Sequence, residues 1–175
     1  LTQLEFEEKL ANSFPSEDHA PQIVMIQCVG PAEHFCSRLC CTTALKNALK
    51  VKELYPNASV TILYRDIRTY GFKERLYTQA REEGVIFLRY DDNNRPVVDA
   101  SGDQLVIEAK ELNLDRPVTL KPDLLVLSNP IVPPDGAREM ATQFKEPSVK
   151  DGFLLEAHVK LRPVDFATDG VFVCG

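Results

Sequence analysis

No apolar run in the sequence approaches the roughly 20 residues that a membrane-spanning helix needs, so no direct membrane insertion is expected. Clustered positive charge is missing too. Acidic residues outnumber basic ones, 26 to 20, for a net charge of −6. Phosphate neutralisation requires gathered Lys and Arg, so no nucleic acid is expected as a partner. The opening Leu1 to Lys9 is acidic and amphipathic, unlike the basic and then apolar stretch of an export signal, and a cytoplasmic location is the expectation. Cysteine is scarce, with five in 175 residues. An odd count without an export signal argues against a disulfide framework, because reducing compartments leave thiols free for metal or redox work. No internal repeat or low-complexity segment is visible.

The sequence does carry an alternation of strand and helix signals. At 44% hydrophobic residues the chain can bury a real core. The β-branched run Gln22 to Val29 reads as a buried parallel strand. From Cys36 to Leu54 the positions Leu39, Ala44, Leu45, Ala48, Leu49 and Val51 recur at helical spacing, until Pro56 and Asn57 stop the run. Ser59 to Tyr64 forms a second strand, Phe72 to Gly84 a second amphipathic helix closed by its glycine, and Val85 to Tyr90 a third strand. This βαβαβ pattern predicts an α/β, Rossmann-like fold with a central parallel sheet. Pro96 to Pro122 alternates around an Asp-rich turn and predicts an antiparallel excursion, after which DLLVLS, from Asp123, returns to the sheet. A short helix is expected near Ala137 to Phe144, followed by two extended segments about a proline.

The first strand-to-helix turn is where such folds grip a dinucleotide, on glycines and the positive end of the following helix. Here Gly30 stands alone, followed by Pro31, and the G-x-G-x-x-G pattern is missing. Four of the five cysteines occupy the same place: Cys28, Cys36, Cys40 and Cys41 fall within fourteen residues. Cys28 ends the strand. If the helix has begun, Cys36 and Cys40 share a face, with Cys41 about 100° around it. A metal or iron-sulfur centre would then draw one thiolate from the strand and three from the first helical turns, and the helix dipole would stabilise its negative charge. The bland alternative is that buried cysteines act as small hydrophobes, and C-x-x-x-C-C lacks the C-x-x-C knuckles of familiar zinc sites. Adjacent Cys40 and Cys41 face different ways on a helix, which weakens the core-filler reading.

Four segments, IQCVG, CSRLCC, ILYRDIRTYG and DGFLLEAHVKLRPVDFATDGVFVCG, together resemble the A subunit of heterodisulfide reductase. The resemblance extends to its relatives, including the flavoprotein subunit of the quinone-interacting membrane-bound oxidoreductase complex. It implies a three-layer domain like the NAD(P)-binding domain of thioredoxin reductase. In this domain a [4Fe-4S] cluster, ligated by Cys28, Cys36, Cys40 and Cys41, replaces the nicotinamide nucleotide and relays electrons to or from FAD. It also implies that FAD belongs to the full-length protein only. Residues 1–20 would be a linker returning from a flavin domain missing here, 21–145 the cysteine-cluster domain, and 146–175 an extended segment leading back. The expected partners are other subunits of a heterodisulfide reductase-like or quinone-interacting oxidoreductase-like electron-transfer complex, and the chain alone would be inactive. Two alternatives stay open: a thiol-redox or zinc-binding module without iron, and a degenerate dinucleotide-binding domain serving subunit contact. Glu33 and His34 read as solvated loop residues, and Cys174 as core. Arg65 and Arg68, where related reductases read a 2′-phosphate, are expected to form salt bridges or cover the cluster edge. His158 and Arg162 read as surface residues.

Overall fold

Runs of Ile, Val and Leu with few polar interruptions form the middle of a parallel sheet in the computed structural model, which describes residues 1–12, 20–30, 36–37, 39–113 and 115–173. The elements of the first compact unit, Leu1–Pro130, are α1 (Gln3–Asn12), β1 (Gln22–Ile26), α2 (Cys40–Leu54), β2 (Ser59–Tyr64), a 3-10 turn (Gly71–Lys73) leading into α3 (Glu74–Glu82), and β3 (Ile86–Arg89). These are followed by β4 (Val97–Asp99), β5 (Val106–Glu111), β6 (Arg116–Leu120) and β7 (Leu124–Leu127). The parallel sheet has the order β3-β2-β1-β7, and β4-β5-β6 form a separate antiparallel sheet. β1 is central, with Ile23 opposite both Val60 and Leu124.

Strand alternation divides the apolar side chains between two layers. Ile23 and Met25 of β1, Val60 and Ile62 of β2, and Val126 of β7 pack with Phe6 of α1 and with Ala44, Leu45, Ala48 and Val51 of α2. Val24, Ile26 and Leu63 point the other way, toward Tyr90 and Ile107, so β5 and its neighbours roof the second face. Helices, parallel sheet and antiparallel sheet make the three layers expected. Each fully buried Ile or Leu contributes roughly 1.5–3 kcal/mol by leaving water. A buried polar knot ties α1 and α2 to the end of β7. Asn47 Nδ2 donates to the Gln3 carbonyl (3.1 Å) and to Gln3 Oε1 (2.9 Å), while Gln3 Nε2 donates to Ser128 Oγ (3.1 Å).

Two boundaries differ from the sequence expectation. The first strand stops at Ile26 because Cys28 takes a left-handed conformation (φ 58°) and Gly30 another positive φ (109°), which turns the chain off the sheet. α2 begins at Cys40, so Cys36 precedes the helix; its N-cap, Leu39, has no side chain able to cap. Residues 1–12, within the expected linker, contain α1, whose Phe6 is fully buried.

The second compact unit, Ile131–Gly175, carries α4 (Ala137–Phe144) and three isolated bridges, Ser148 with Leu154, His158 with Arg162, and Asp165 with Phe172. Buried Glu146 accepts the N–H groups of Ala167 (3.2 Å) and Thr168 (3.1 Å). No helix among the described residues is long and apolar enough to cross a membrane.

Candidate metal centre

Every strand of the central sheet runs the same way, so the residues just past the strand ends lie along one edge. Cys28 comes after β1, Arg65 after β2, Tyr90 to Asp92 after β3, and Ser128 to Pro130 after β7. The chain leaves β1 toward β2 and β3 on one side and later returns to β7 on the other. Cys28 therefore stands at the reversal of strand order, where open α/β sheets place ligands.

Cys28, Cys36, Cys40 and Cys41 are all free of disulfides; Cys41 is buried and the others half-buried. They share one electrostatic neighbourhood. Burial, and then the like charge of Cys36 and Cys28, raises the Cys40 thiol above its ordinary pKa. Burial pushes Cys41 up to about 11, with Cys40, Cys28 and Cys36 adding to it and the Arg68 N–H opposing it. The Cys41 sulfur is fixed by the loop after β2: it donates to the Asp66 carbonyl (3.7 Å) and accepts from the Arg68 N–H (3.5 Å). The set thus comes from a turn after the strand, a residue before the helix and the first helical turn, rather than from three helical positions. Among the described residues, no three His, Cys, Asp or Glu side chains gather tightly enough to hold one metal ion.

Basic residues lie near these thiols. Arg65 Nη1 donates to both oxygens of Asp92 (2.8 and 3.0 Å), and Arg95 Nη2 donates to the same carboxylate (2.8 Å). Arg95 Nη1 donates to the Gly30 carbonyl (2.5 Å). Desolvation works against the Arg65 charge, yet hydrogen bonds to Cys28 and Asp92 more than offset it and hold its pKa above the usual value. Arg68 pairs with Asp66 (2.9 Å), and that hydrogen bond, followed by the charge of Cys36, raises its pKa as well. Both arginines form the salt bridges expected of them. The buried Tyr90 hydroxyl donates to the Gln27 carbonyl. Burial first and Cys28 second push its pKa up to about 12.

Polar atoms beside the cysteines are left unpaired. The fully buried Gln27 carboxamide precedes Cys28, and neither its nitrogen nor its oxygen has a partner. The Thr42 hydroxyl follows Cys41, and with Arg65 Nε it is also buried and unpaired. An unsatisfied buried donor costs about 1–3 kcal/mol. The non-glycine left-handed backbone at Cys28 adds about another 1–2 kcal/mol. Soft thiol donors, a basic rim and orphaned N–H and O–H groups fit a sulfur-rich anionic guest.

Sequence reasoning missed Gln27, Tyr90, Asp92 and Arg95. The signal that could have found the last three is their position after the third strand of a parallel sheet, which places them on the same edge as Cys28. Glu33 and His34, with residues 31–35, and Cys174 lie outside the described residues. In the second unit, His158 Nδ1 accepts the N–H groups of Lys160 and Leu161 (3.2 Å each) and Arg162 pairs with Asp165 (2.8 Å), which are local turn contacts.

Comparison with known proteins adds kinship. The chain is 39% identical over 166 residues to the A subunit of ferredoxin:CoB-CoM heterodisulfide reductase from Methanosarcina acetivorans, covering 90% of this chain and 20% of that protein. It is 36% identical over 171 residues to the A subunit of H2:CoB-CoM heterodisulfide,ferredoxin reductase from Methanothermobacter marburgensis, covering 92% and 25%. The chain therefore spans about a fifth to a quarter of the length of these relatives. No protein-family profile matches it. Among solved structures, thioredoxin reductase from Lactococcus lactis superposes with a TM-score of 0.55 at 15% identity, over 89% of this chain and 44% of that one, which establishes a shared fold.

Proposed function

We propose, proceeding from the homology of this chain to one segment of the heterodisulfide reductase A subunits, that it is an electron-transfer domain of an oxidoreductase subunit. Cys28, Cys36, Cys40 and Cys41 would hold a [4Fe-4S] cluster where a dinucleotide-binding relative holds its nucleotide. The observation that supports this reading is the placing of four cysteines that form no disulfide near the strand-order reversal, coupled by charge and flanked by Arg65 and Arg68. Such a cluster, when bound, supplies reversible storage of one electron. The chain's residues do the rest. The Arg68 N–H holds the Cys41 sulfur, and Cys40 and Cys41 lie in the first turn of α2, at its positive end. No substrate bond is made or broken here. FAD would sit on portions of the parent outside this chain, joined through residues 1–20 and 146–175. The partners would be the other subunits of the complex.

Burial raises the pKa of Cys40 and Cys41, which slows attack by those two thiols in a metal-free, thiol-exchange reading. Anaerobic purification followed by a visible spectrum and iron and sulfide analysis decides the matter. About four iron and four sulfide per chain are expected, and both should fall sharply on replacing any one of the four cysteines by serine. Colourless protein with stoichiometric zinc would overturn the proposal.

A further inference from the structure

We propose that Arg65, anchored by Asp92, is a positioning residue for Cys28: it fixes where that sulfur points and supplies positive charge that raises the reduction potential of the cluster. This inference rests on the iron-sulfur reading of the four cysteines.

The turn that presents Cys28 is clasped from three directions. The Tyr90 hydroxyl holds the carbonyl of Gln27 on its N-terminal side, Arg95 holds the carbonyl of Gly30 on its C-terminal side, and Arg65 faces the sulfur between them. Asp92 binds both arginines, so one carboxylate sets the spacing of the clasp. The left-handed backbone at Cys28 (φ 58°) would not persist in a free loop, and the clasp supplies the contacts that hold it. Arg65 is also the most enclosed of these ion-pairing groups. Its side chain is only 24% exposed, against 37% for Arg95, and its Nε is buried with no partner.

The electrostatic sign is fixed. Adding an electron makes a thiolate-ligated cluster more negative, so a nearby guanidinium favours the reduced form and raises the potential. Asp92 opposes this, and the guanidinium is the group that interacts directly with Cys28. Lysine cannot reproduce the arrangement, because one ammonium lacks the planar fork that serves Asp92 and Cys28 together.

The test compares Arg65→Gln, Arg65→Lys and Asp92→Asn in this chain, purified anaerobically with its iron. Its readouts are metal content, the midpoint potential from a titration followed by electron paramagnetic resonance, and the rate of iron loss to a chelator. Arg65→Gln is expected to shift the midpoint to more negative values and to lose iron at least about tenfold faster, the scale of an outer-shell contact to a metal ligand. Arg65→Lys should keep most of the potential yet lose iron faster, and Asp92→Asn should speed iron loss without lowering the potential. Failure of Arg65→Gln to load iron, with its circular dichroism and unfolding midpoint unchanged, also supports positioning. Should Arg65→Gln fail to fold, Arg65→Lys and Asp92→Asn decide. A loaded Arg65→Gln with unaltered midpoint and chelation rate overturns the inference alone. A wild-type chain without iron sinks the cluster reading and the inference with it.

Discussion

A thiol that titrates at about 11 instead of 9 presents roughly a hundredfold less thiolate at pH 8. In the metal-free protein Cys41 should therefore react with iodoacetamide at pH 8 at least about tenfold more slowly than in the unfolded chain; equal rates by peptide mass analysis would show that burial does not protect it. The sign for stability follows from the same shift. The folded state holds the proton more tightly, so this contribution is complete below pH 9 and is lost as pH rises through about 11. The unfolding midpoint of the metal-free chain should fall across that window, and less steeply in Cys41→Ala. The four thiols were visible in the sequence because crowded cysteines at a strand-helix junction are a strong signal. Asp92 and Gln27 were not. Asp92 belongs to an Asp-Asp-Asn-Asn turn that reads as ordinary loop chemistry, where Asp91 does accept the N–H groups of Asn93 and Asn94. Its link to Arg65 exists only once β2 and β3 are paired.

Where elements end, backbone geometry decides. Gly30 has φ 109°, with Pro130 Cγ 3.7 Å from the position a Cβ would take, so a methyl group fits sterically while the backbone is strained. Gly30→Ala should cost about 1–3 kcal/mol in urea unfolding of the metal-free protein. A neutral result would mean that the turn relaxes without it. Apolar runs and helical spacing revealed the parallel strands, α3 and α4, since period-2 and period-3.6 patterns are imposed by burial on one or both faces. The limits of β1 and α2 escaped because their causes leave no such pattern. Cysteine rarely marks a left-handed residue, and α2 lacks the Ser, Thr, Asp or Asn cap that announces a helix start.

At the scale of the chain, the two compact units differ in what holds them. The first has a four-stranded parallel ladder with buried faces, whereas the second relies on α4, isolated bridges and Glu146. Hydrogen exchange should accordingly show Ile23 to Ile26 and Val60 to Leu63 opening only with global unfolding. Amides of 146–173 should be at least about a hundredfold less protected, near 2.7 kcal/mol at 1.36 kcal/mol per decade; uniform protection would contradict this. The layered α/β architecture was legible from the alternation of elements. The unit boundary near Pro130 was not, because Pro-rich turns also occur inside single units. The four cysteines occupy one short stretch of chain, whereas Arg65, Tyr90, Asp92 and Arg95 reach it only through two strand crossovers. If the four cysteines hold a cluster as proposed, the unfolded chain offers the same thiols before its sheet exists, and that competition shrinks the stability gained on binding.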